Sequence, residues 1–232
     1  MPAKKRKISA IVPALNEEAN VGAVLKVLLK AEILNEVILV DDGSTDKTAE
    51  IGKKLGAKIV KLSKKGGSGK GNALKQGLKV TNAEIIAFFD ADLIGLNEEH
   101  VNSLVQPVLA GKAVMCVGIR DRLFGLPENI SKIDPLLAVG GERVIERKFL
   151  EKIPEEHFEG FAIETAINHY CLANKLTVEY VLLNKLTHVL KEKKWGIVRG
   201  FFSRIKMILQ IIKIRLILIF KKNEFIQENN AE

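Results

Sequence analysis

The chain has 232 residues, of which 47% are hydrophobic, and its formal net charge is +8. This length suits one α/β domain with a short appendage, and the apolar content argues against a disordered chain. The positive charge favours a polyanionic partner, but the basic residues lack interleaved aromatic side chains and match no nucleic-acid-binding motif. We therefore predict no nucleic-acid partner and expect a phosphorylated small molecule or an anionic lipid.

The two cysteines indicate the redox compartment. Cys116 and Cys171 lie in apolar surroundings without C-x-x-C spacing, which predicts small core residues of a reduced protein. A lysine-rich segment at 4–7 leads directly into a short apolar run, a pattern that does not match a signal peptide. We therefore expect a cytoplasmic location.

Apolar runs and helical spacings alternate along the first half of the chain. Strands are predicted at 8–13, 36–41, 57–62, 84–90 and 113–119. The helices between them are predicted at 17–30, from an N-cap at Ser44 or Thr45 to Leu55, at 71–80 and at 98–110. Such alternation predicts an α/β fold with a mainly parallel sheet flanked by helices.

The pattern is weaker in the second half. Residues 120–140 contain glycine and prolines with little periodicity, and we expect a loop beside the site. Helices are predicted at 143–152 and 161–174, with a strand at 177–183.

Acidic residues follow two of the predicted strands. The run at 84–90 ends in Asp90 and continues to Asp92, and the second strand leads into DDGSTD, which begins at Asp41. The carboxyl ends of parallel strands meet at one edge of a sheet, where ligands bind. Carboxylates placed there can hold a divalent metal, although solvated turns and helix caps also use aspartate.

A glycine-rich loop, KKGGSGKGNAL, follows the third strand. It does not match a P-loop, because Gly71 stands where Ser or Thr should follow the lysine, and Asn72 breaks the pattern G-x-G-x-x-G. Backbone N–H groups and Lys70 can still attract phosphate at the start of a helix. A plain surface turn is the alternative for the glycines.

Four segments occur in the order and spacing of a known family: VPALNEE at 12–18, VDDGSTD at 40–46, GKGNAL at 69–74 and FFDADL at 88–93. Together they resemble family 2 glycosyltransferases with the GT-A fold, above all glucosyl-phosphoglycerate synthases and polyprenyl-phosphate glycosyltransferases. Two later segments agree, VGGERVIERKFLEKI at 139–153 and GFAIETAINHY at 160–170. The resemblance implies a GT-A domain at 1–190, and the apolar and basic pattern of the residues beyond it predicts an amphipathic helical tail at 191–232.

The resemblance also implies roles for individual residues, and it implies Mg²⁺ or Mn²⁺ as cofactor. Asp92 and His188 would hold the metal, and Asp90, Asp92 and Glu164 would form the catalytic group. Donor binding would involve Pro13, Ala14, Leu15 and Glu17 around the nucleoside, Asp42 near the base, Lys70 at the diphosphate, Asp90 at the ribose or donor sugar, and Glu164 at sugar hydroxyls.

The implied activity is sugar transfer from a UDP- or GDP-sugar to a phosphorylated or lipid-linked acceptor. Members that use phosphoglycerate carry a glycine–arginine segment, which residues 120–138 lack. Arg120, with Arg122 and Lys132, would meet an anionic acceptor there, and the acceptor stays open. Two other functions compete: a sugar-nucleotide pyrophosphorylase, which needs an arginine-bearing glycine loop after the first strand, and a non-catalytic nucleotide-sugar-binding partner subunit.

The tail at 195–220 is apolar but interrupted by basic residues, including Arg204 and Lys213. Charges at these positions argue against a membrane span. One broad apolar face with basic flanks predicts a helix lying on an anionic membrane. The alternative is a helix packed on the catalytic domain or on a second subunit, as in a homodimer.

Overall fold

A computed structural model describes residues 6–63, 66–120, 141–154 and 162–188 of the chain. Within these residues, seven strands form one sheet in the order β3-β2-β1-β4-β7-β6-β8, and two short strands, β5 and β9, form a second. The strands are β1 Ile8–Ala14, β2 Glu36–Asp41, β3 Lys58–Lys61, β4 Ile85–Phe88, β5 Leu93–Ile94, β6 Met115–Arg120, β7 Arg143–Glu146, β8 Val178–Leu183 and β9 Thr187–His188. The helices are α1 Val21–Lys30, α2 Thr48–Leu55, α3 Lys70–Lys79, α4 Glu98–Leu109, α5 Arg147–Leu150 and α6 Ala162–Ala173.

The large sheet is parallel except for one strand. Strand β1 pairs in parallel with β2 and with β4, whereas β7 runs antiparallel between β4 and β6. The chain moves outward from β1 through β2 to β3 and then crosses to β4 on the other side of β1. This change of direction opens a crevice at the carboxyl ends of β1 and β4, where open α/β sheets bind ligands.

Apolar side chains cover both faces of the sheet. One core cluster packs α1 and α4 against residues such as Val12, Leu39 and Phe89, and a second packs α3 and α6 against Ile11, Val40 and Phe88. Strands buried on both faces explain why the predicted strands read as continuous apolar runs. The core also contains Cys116 and Cys171 as predicted, and burial raises the pKa of both thiols to about 12.

The predicted helix at 143–152 is wrong in its first half. Residues Arg143–Glu146 form strand β7, and only the short helix α5 follows. Val144 and Ile145 are buried on opposite faces of the sheet, between β4 and β6. A short apolar run has no period of its own that separates a strand from a helix, and here the flanking strands decide.

The predicted N-cap of α2 at Ser44 or Thr45 is also wrong, because the helix begins at Thr48. The Asp46 carboxylate accepts a hydrogen bond from the Thr48 backbone N–H at 2.9 Å. Ser44 and Thr45 instead bond to Asn16 in the loop after β1. Their polar groups therefore join two loops and do not cap the helix.

Several predictions fall on residues outside the described ranges: the loop at 120–140 beyond Arg120, and the tail from 191. The small sheet of β5 and β9 was not predicted, because two-residue strands are too short to show periodicity. None of the helices in the described ranges has the length and apolar character needed to cross a membrane.

Candidate active site

The loops after β1 and β2 form one continuous surface at the carboxyl edge of the sheet. The Asp42 backbone N–H donates to the Ala14 carbonyl at 2.8 Å. The Asn16 N–H donates to Ser44 Oγ at 2.9 Å, and the Asn16 side chain accepts from the Thr45 N–H at 2.8 Å. Asn16 has φ +55°, a conformation that asparagine tolerates better than most residues. These bonds hold the PALNEE and DDGSTD segments together.

The four residues predicted to hold the nucleoside lie on this surface. Pro13 and Ala14 end β1, and Leu15 follows. Glu17 is half-buried, its backbone N–H donates to Thr48 Oγ1 at 2.8 Å, and its carboxylate accepts from Asn20 Nδ2 at 3.2 Å. The side chain of Glu17 therefore lies against the start of α1.

Asp42 fastens the glycine-rich loop to this surface. Its carboxylate accepts hydrogen bonds from the Ser68 N–H at 2.8 Å, from Ser68 Oγ at 2.6 Å and from the Gly69 N–H at 2.9 Å. Gly67 has φ +89°, a conformation that favours glycine, and a Cβ there would lie 2.9 Å from Leu15 Cδ2 and 3.0 Å from Asp42 Oδ2. The loop thus lies against the predicted nucleoside surface and delivers Lys70 at the first position of α3.

Lys70 lies between two carboxylates. Its Nζ is 2.6 Å from Asp90 Oδ1, just beyond β4, and 2.6 Å from Glu164 Oε1, in the first turn of α6. Burial lowers the pKa of Lys70, but the negative charges of Asp90 and Glu164 raise it more, and the lysine stays protonated. Three elements distant in sequence therefore converge on one ammonium group.

Arg120 extends this charged group to the other side of Asp90. It ends β6, its Nη2 is 3.8 Å from Asp90 Oδ2, and its Nε is 3.0 Å from Glu142 Oε2. Burial raises the pKa of Asp90, but the charges of Lys70 and Arg120 lower it more, so its pKa lies below the ordinary value. Asp90 is therefore ionised at neutral pH.

Glu142 behaves differently, although it is part of the same group. It is fully buried, and burial and the nearby Asp90 charge raise its pKa to about 7, against the opposing effects of Arg120 and Lys70. In the sequence interpretation Glu142 is only part of the family-like segment at 139–153, without an individual role. Its preceding residue, Gly141, touches the site directly, since a Cβ there would lie 2.5 Å from Asp90 Oδ2 and 2.8 Å from Lys70 Nζ.

Arg143 supports the site from below. Its side chain is almost completely buried, and Nη1 donates to the Glu164 carbonyl at 3.2 Å and to Asn168 Oδ1 at 3.1 Å. These bonds fix the first turns of α6, the helix that carries Glu164. No motif indicates this role, because it depends on the packing of β7 beneath α6.

The two predicted metal ligands come from neighbouring strands. Asp92 immediately precedes β5, and His188 ends β9, where it pairs with Leu93. The charge of His188 also contributes to lowering the pKa of Asp90. An aspartate and a histidine form a donor set that suits Mn²⁺ or Mg²⁺, with the remaining positions left for ligand oxygens. Among the described residues there is no group of three or more His, Cys, Asp or Glu that could hold a metal.

The structure therefore brings the predicted residues together in three adjacent groups. The first surrounds the loops after β1 and β2, the second is the charged group around Lys70, and the third is the Asp92–His188 pair. The first group offers apolar surface that suits a nucleoside. The second offers a cation that suits phosphate and carboxylates that suit sugar hydroxyls, as expected for a site that binds a nucleotide with a phosphorylated sugar.

Residues 9–172 match the family model described as glycosyl transferase family 2. The chain therefore belongs to glycosyl transferase family 2, as its four segments predicted, and the predicted class of enzyme is confirmed.

The relatives narrow the comparison to particular proteins. The chain is 34% identical over 149 residues to glucosyl-3-phosphoglycerate synthase of Mycobacterium tuberculosis, covering 61% of this chain and 45% of that protein. It is 30% identical over 197 residues to the protein of that name in Petrotoga mobilis, covering 69% and 59%. It is also 33% identical over 147 residues to 4,4'-diaponeurosporenoate glycosyltransferase of Staphylococcus aureus, covering 60% and 38%. The chain thus spans about half the length of these relatives.

Solved structures confirm the predicted GT-A fold. The glucosyl-3-phosphoglycerate synthase of Mycobacterium tuberculosis in complex with Mn²⁺, UDP-glucose and phosphoglyceric acid has a TM-score of 0.66 and 26% identity, covering 79% of this chain and 72% of that one. A structure of the same enzyme with Mg²⁺ and UDP has a TM-score of 0.66 and 27% identity, covering 86% and 79%. These related structures contain the kind of divalent cofactor that was predicted.

Proposed function

We propose that this chain transfers a hexose from a UDP-sugar, with UDP-glucose as the first candidate, to a phosphorylated or lipid-linked acceptor in the presence of Mn²⁺ or Mg²⁺. The observation that carries the proposal is the position of Lys70. Its ammonium group lies at the carboxyl edge of the sheet, between Asp90 and Glu164, where the loops after β1 and β2 also meet. The UDP-glucose and Mn²⁺ bound by the related enzyme support the donor and the metal.

Different residues of the chain contact different parts of the donor. The surface for the nucleoside is formed by Pro13, Ala14 and Leu15. The glycine-rich loop, which Asp42 holds, lies against this surface. Lys70 donates to the diphosphate and stabilises the negative charge that grows on it as the bond to the sugar breaks. Asp90 and Glu164 orient Lys70 in the free protein, and their oxygens accept hydrogen bonds from ribose or sugar hydroxyls when the donor is bound.

The charge balance of the site supports a metal. Lys70 and Arg120 supply two positive charges, which Asp90 and Glu164 already neutralise before Glu142 is counted. A diphosphate would therefore meet no surplus of positive charge. A divalent cation held by Asp92 and His188 would supply it, and when bound it would neutralise the leaving diphosphate.

The acceptor and the location extend the proposal. The names of the relatives include a phosphoglycerate and a carotenoid acid, so a phosphorylated small molecule and a lipid are both supported. The expected association of residues 195–220 with an anionic membrane favours the lipid, and it rests on sequence alone. Sedimentation with anionic liposomes, comparing the full chain with one that ends at Lys194, tests this part: two forms that both stay in the supernatant at low salt contradict it.

A donor panel tests the main proposal. We expect UDP and UDP-glucose to raise the melting temperature in the presence of Mn²⁺ more than GDP or GDP-mannose, because a ligand that binds only the folded state stabilises it. The release of UDP from UDP-glucose, with phosphoglycerate or a polyprenyl phosphate added, then separates a transferase from a binding subunit. Binding of UDP-glucose without release of UDP, alone or with either acceptor, would contradict transfer to these two acceptors.

A further inference from the structure

Glu142 and Arg120 form a buried ion pair beside the donor site. The Glu142 side chain is 0% exposed and the Arg120 side chain 7%, and their Oε2 and Nε atoms are 3.0 Å apart. The pair is held by the sheet, since the Gly118 backbone N–H donates to the Glu142 carbonyl at 2.8 Å across β6 and β7. Burying two charges is costly, and an apolar pair would stabilise the core as well or better.

The pair is also incompletely satisfied. In the described part of the chain, Arg120 Nη1 and Glu142 Oε1 are buried and have no hydrogen-bond partner. The 3.0 Å contact is an ion pair without the alignment of a hydrogen bond. Buried polar atoms in native proteins are normally hydrogen-bonded, so each unsatisfied one calls for an explanation.

The remaining contact of Arg120 points to the site. Its Nη2 faces Asp90 Oδ2 at 3.8 Å, while Asp90 Oδ1 binds Lys70 at 2.6 Å. Arg120 is therefore shared between two carboxylates, and the pull of Glu142 keeps it from drawing Asp90 away from Lys70.

We propose that Glu142 is a positioning residue of the donor site, which holds Arg120 and thereby keeps Asp90 on Lys70. This inference rests on the proposed function, because it assumes that Lys70 and Asp90 receive the donor. Without the Glu142 charge, the buried guanidinium has Asp90 as its nearest anion. Asp90 then moves toward Arg120, and Lys70 loses the partner that orients it.

The sign of the effect separates this role from simpler ones. A carboxylate that acted only as a negative charge near a diphosphate would, when neutralised, strengthen the binding of UDP. Neutralising a residue that positions Arg120 should instead weaken the binding of UDP. We expect Glu142→Gln to lower the Mn²⁺-dependent affinity for UDP about tenfold in calorimetry. Glu146→Gln, at the last residue of β7, is the matched control, because Glu146 pairs with Arg6 and Lys148 away from the site. The UDP affinity of this variant should stay within twofold of the wild type.

A double-mutant cycle tests whether Glu142 acts through Arg120. If it does, Glu142→Gln causes no further loss of UDP affinity in an Arg120→Gln background, because the guanidinium that would draw Asp90 away from Lys70 is gone. A double variant that loses the full factor of both single variants overturns the proposal. So does a Glu142→Gln protein that binds UDP as well as, or more tightly than, the wild type.

Two further measurements cover the cases in which Glu142→Gln does not fold or the wild type does not bind UDP. If Glu142→Gln does not fold, Glu142→Asp keeps the charge but shortens its reach toward Arg120, and we expect a several-fold loss of UDP affinity; unchanged affinity overturns the proposal. A wild-type protein without Mn²⁺-dependent UDP binding overturns the proposed donor, and the role of Glu142 falls with it.

Discussion

At the amino ends of the central strands, the carboxylate of Glu36 accepts hydrogen bonds from Ser9 Oγ and Thr81 Oγ1, and Lys58 Nζ lies 3.7 Å from its second oxygen. At the carboxyl ends, the carboxylate of Glu142 forms an ion pair with Arg120, and neither of its oxygens has a hydrogen-bond partner in the described residues. Burial raises the pKa of Glu36, but these hydrogen bonds lower it more, whereas the pKa of Glu142 rises to about 7.

The difference shows how one sheet assigns two tasks to its two edges. At the amino edge, polar groups satisfy one another, and Arg147 adds hydrogen bonds to the carbonyls of Thr81 and Leu78 at the end of α3. Such groups stabilise the fold and leave nothing for a ligand. At the carboxyl edge, charges are concentrated and shared, and buried polar atoms of Arg120 and Glu142 have no hydrogen-bond partner in the described residues. Changes at the two edges should therefore have separable effects on stability and on binding.

The largest expected effect at the carboxyl edge concerns the metal. Asp92→Ala and His188→Ala should each abolish the dependence of UDP affinity on Mn²⁺, because each removes one of the two proposed protein ligands. Calorimetry with UDP, with and without Mn²⁺, measures this. Thr187→Ala, beside His188 in β9, is the control and should keep the metal dependence. Unchanged Mn²⁺-dependent affinity in both ligand variants would contradict the metal site.

The next effect concerns Lys70. Lys70→Met should weaken UDP binding by about 10- to 150-fold, as expected for the loss of a charge-assisted hydrogen bond of about 1.5–3 kcal/mol. Uridine, which lacks the diphosphate, should lose much less. The control is Lys79→Met, at the exposed end of the same helix. Equal losses for UDP and uridine would mean that Lys70 shapes the loop and does not bind phosphate.

A third effect comes from adding one methyl group. Gly141→Ala places a Cβ 2.5 Å from Asp90 Oδ2 and 2.8 Å from Lys70 Nζ, so the Asp90 carboxylate, the Lys70 ammonium or both must shift. We expect UDP affinity to fall about tenfold, equivalent to about 1.4 kcal/mol, while the far-ultraviolet circular dichroism spectrum is unchanged. Gly22→Ala in α1 is the control, because its Cβ would make only an ordinary 3.4 Å contact with Ile51. A Gly141→Ala protein with normal UDP affinity would place the donor elsewhere.

The carboxyl edge also shows how much of a site can be predicted from a sequence. Asp90, Asp92 and Lys70 were predicted because each follows a strand or begins a helix, and the strand order brings such positions to one edge. Glu142 was missed because its role depends on the antiparallel pairing of β7 with β6, which brings it beside Gly118 and Arg120. The predicted helix at 143–152 hid that strand, since four residues carry too little pattern to reveal a partner distant in sequence.

At the amino edge, Glu36→Gln should reduce stability without affecting binding. The amide keeps the shape of the carboxylate but weakens its hydrogen bonds to Ser9 and Thr81, and it removes the charge near Lys58. We expect the free energy of unfolding to fall by about 1–3 kcal/mol, while UDP affinity stays within twofold. Denaturant unfolding and calorimetry on the same preparation measure both. A clear loss of UDP affinity would break the separation between the two edges.

The last expected effect, and the most specific, is the dependence of stability on pH. Because Glu142 has a pKa raised from 4.5 to about 7, its contribution is fully present below pH 4.5 and is lost as pH rises through 7. That contribution is on the order of 3 kcal/mol. The lowered pKa of Glu36 has the opposite sign, and its contribution is lost as pH falls below 4.5.

Melting temperatures between pH 4 and 9 separate these two signs. Relative to Glu142→Gln, the wild type should be more stable at pH 5 than at pH 8, because Glu142 ionises in that window while Arg120, Lys70 and Asp90 remain charged. Relative to Glu36→Gln, the wild type should lose its advantage only at the acid end. A constant difference between the wild type and Glu142→Gln from pH 5 to pH 8 would mean that Glu142 does not titrate there. The carboxylates of Glu142 and Glu36 would then differ in their partners but not in their ionisation.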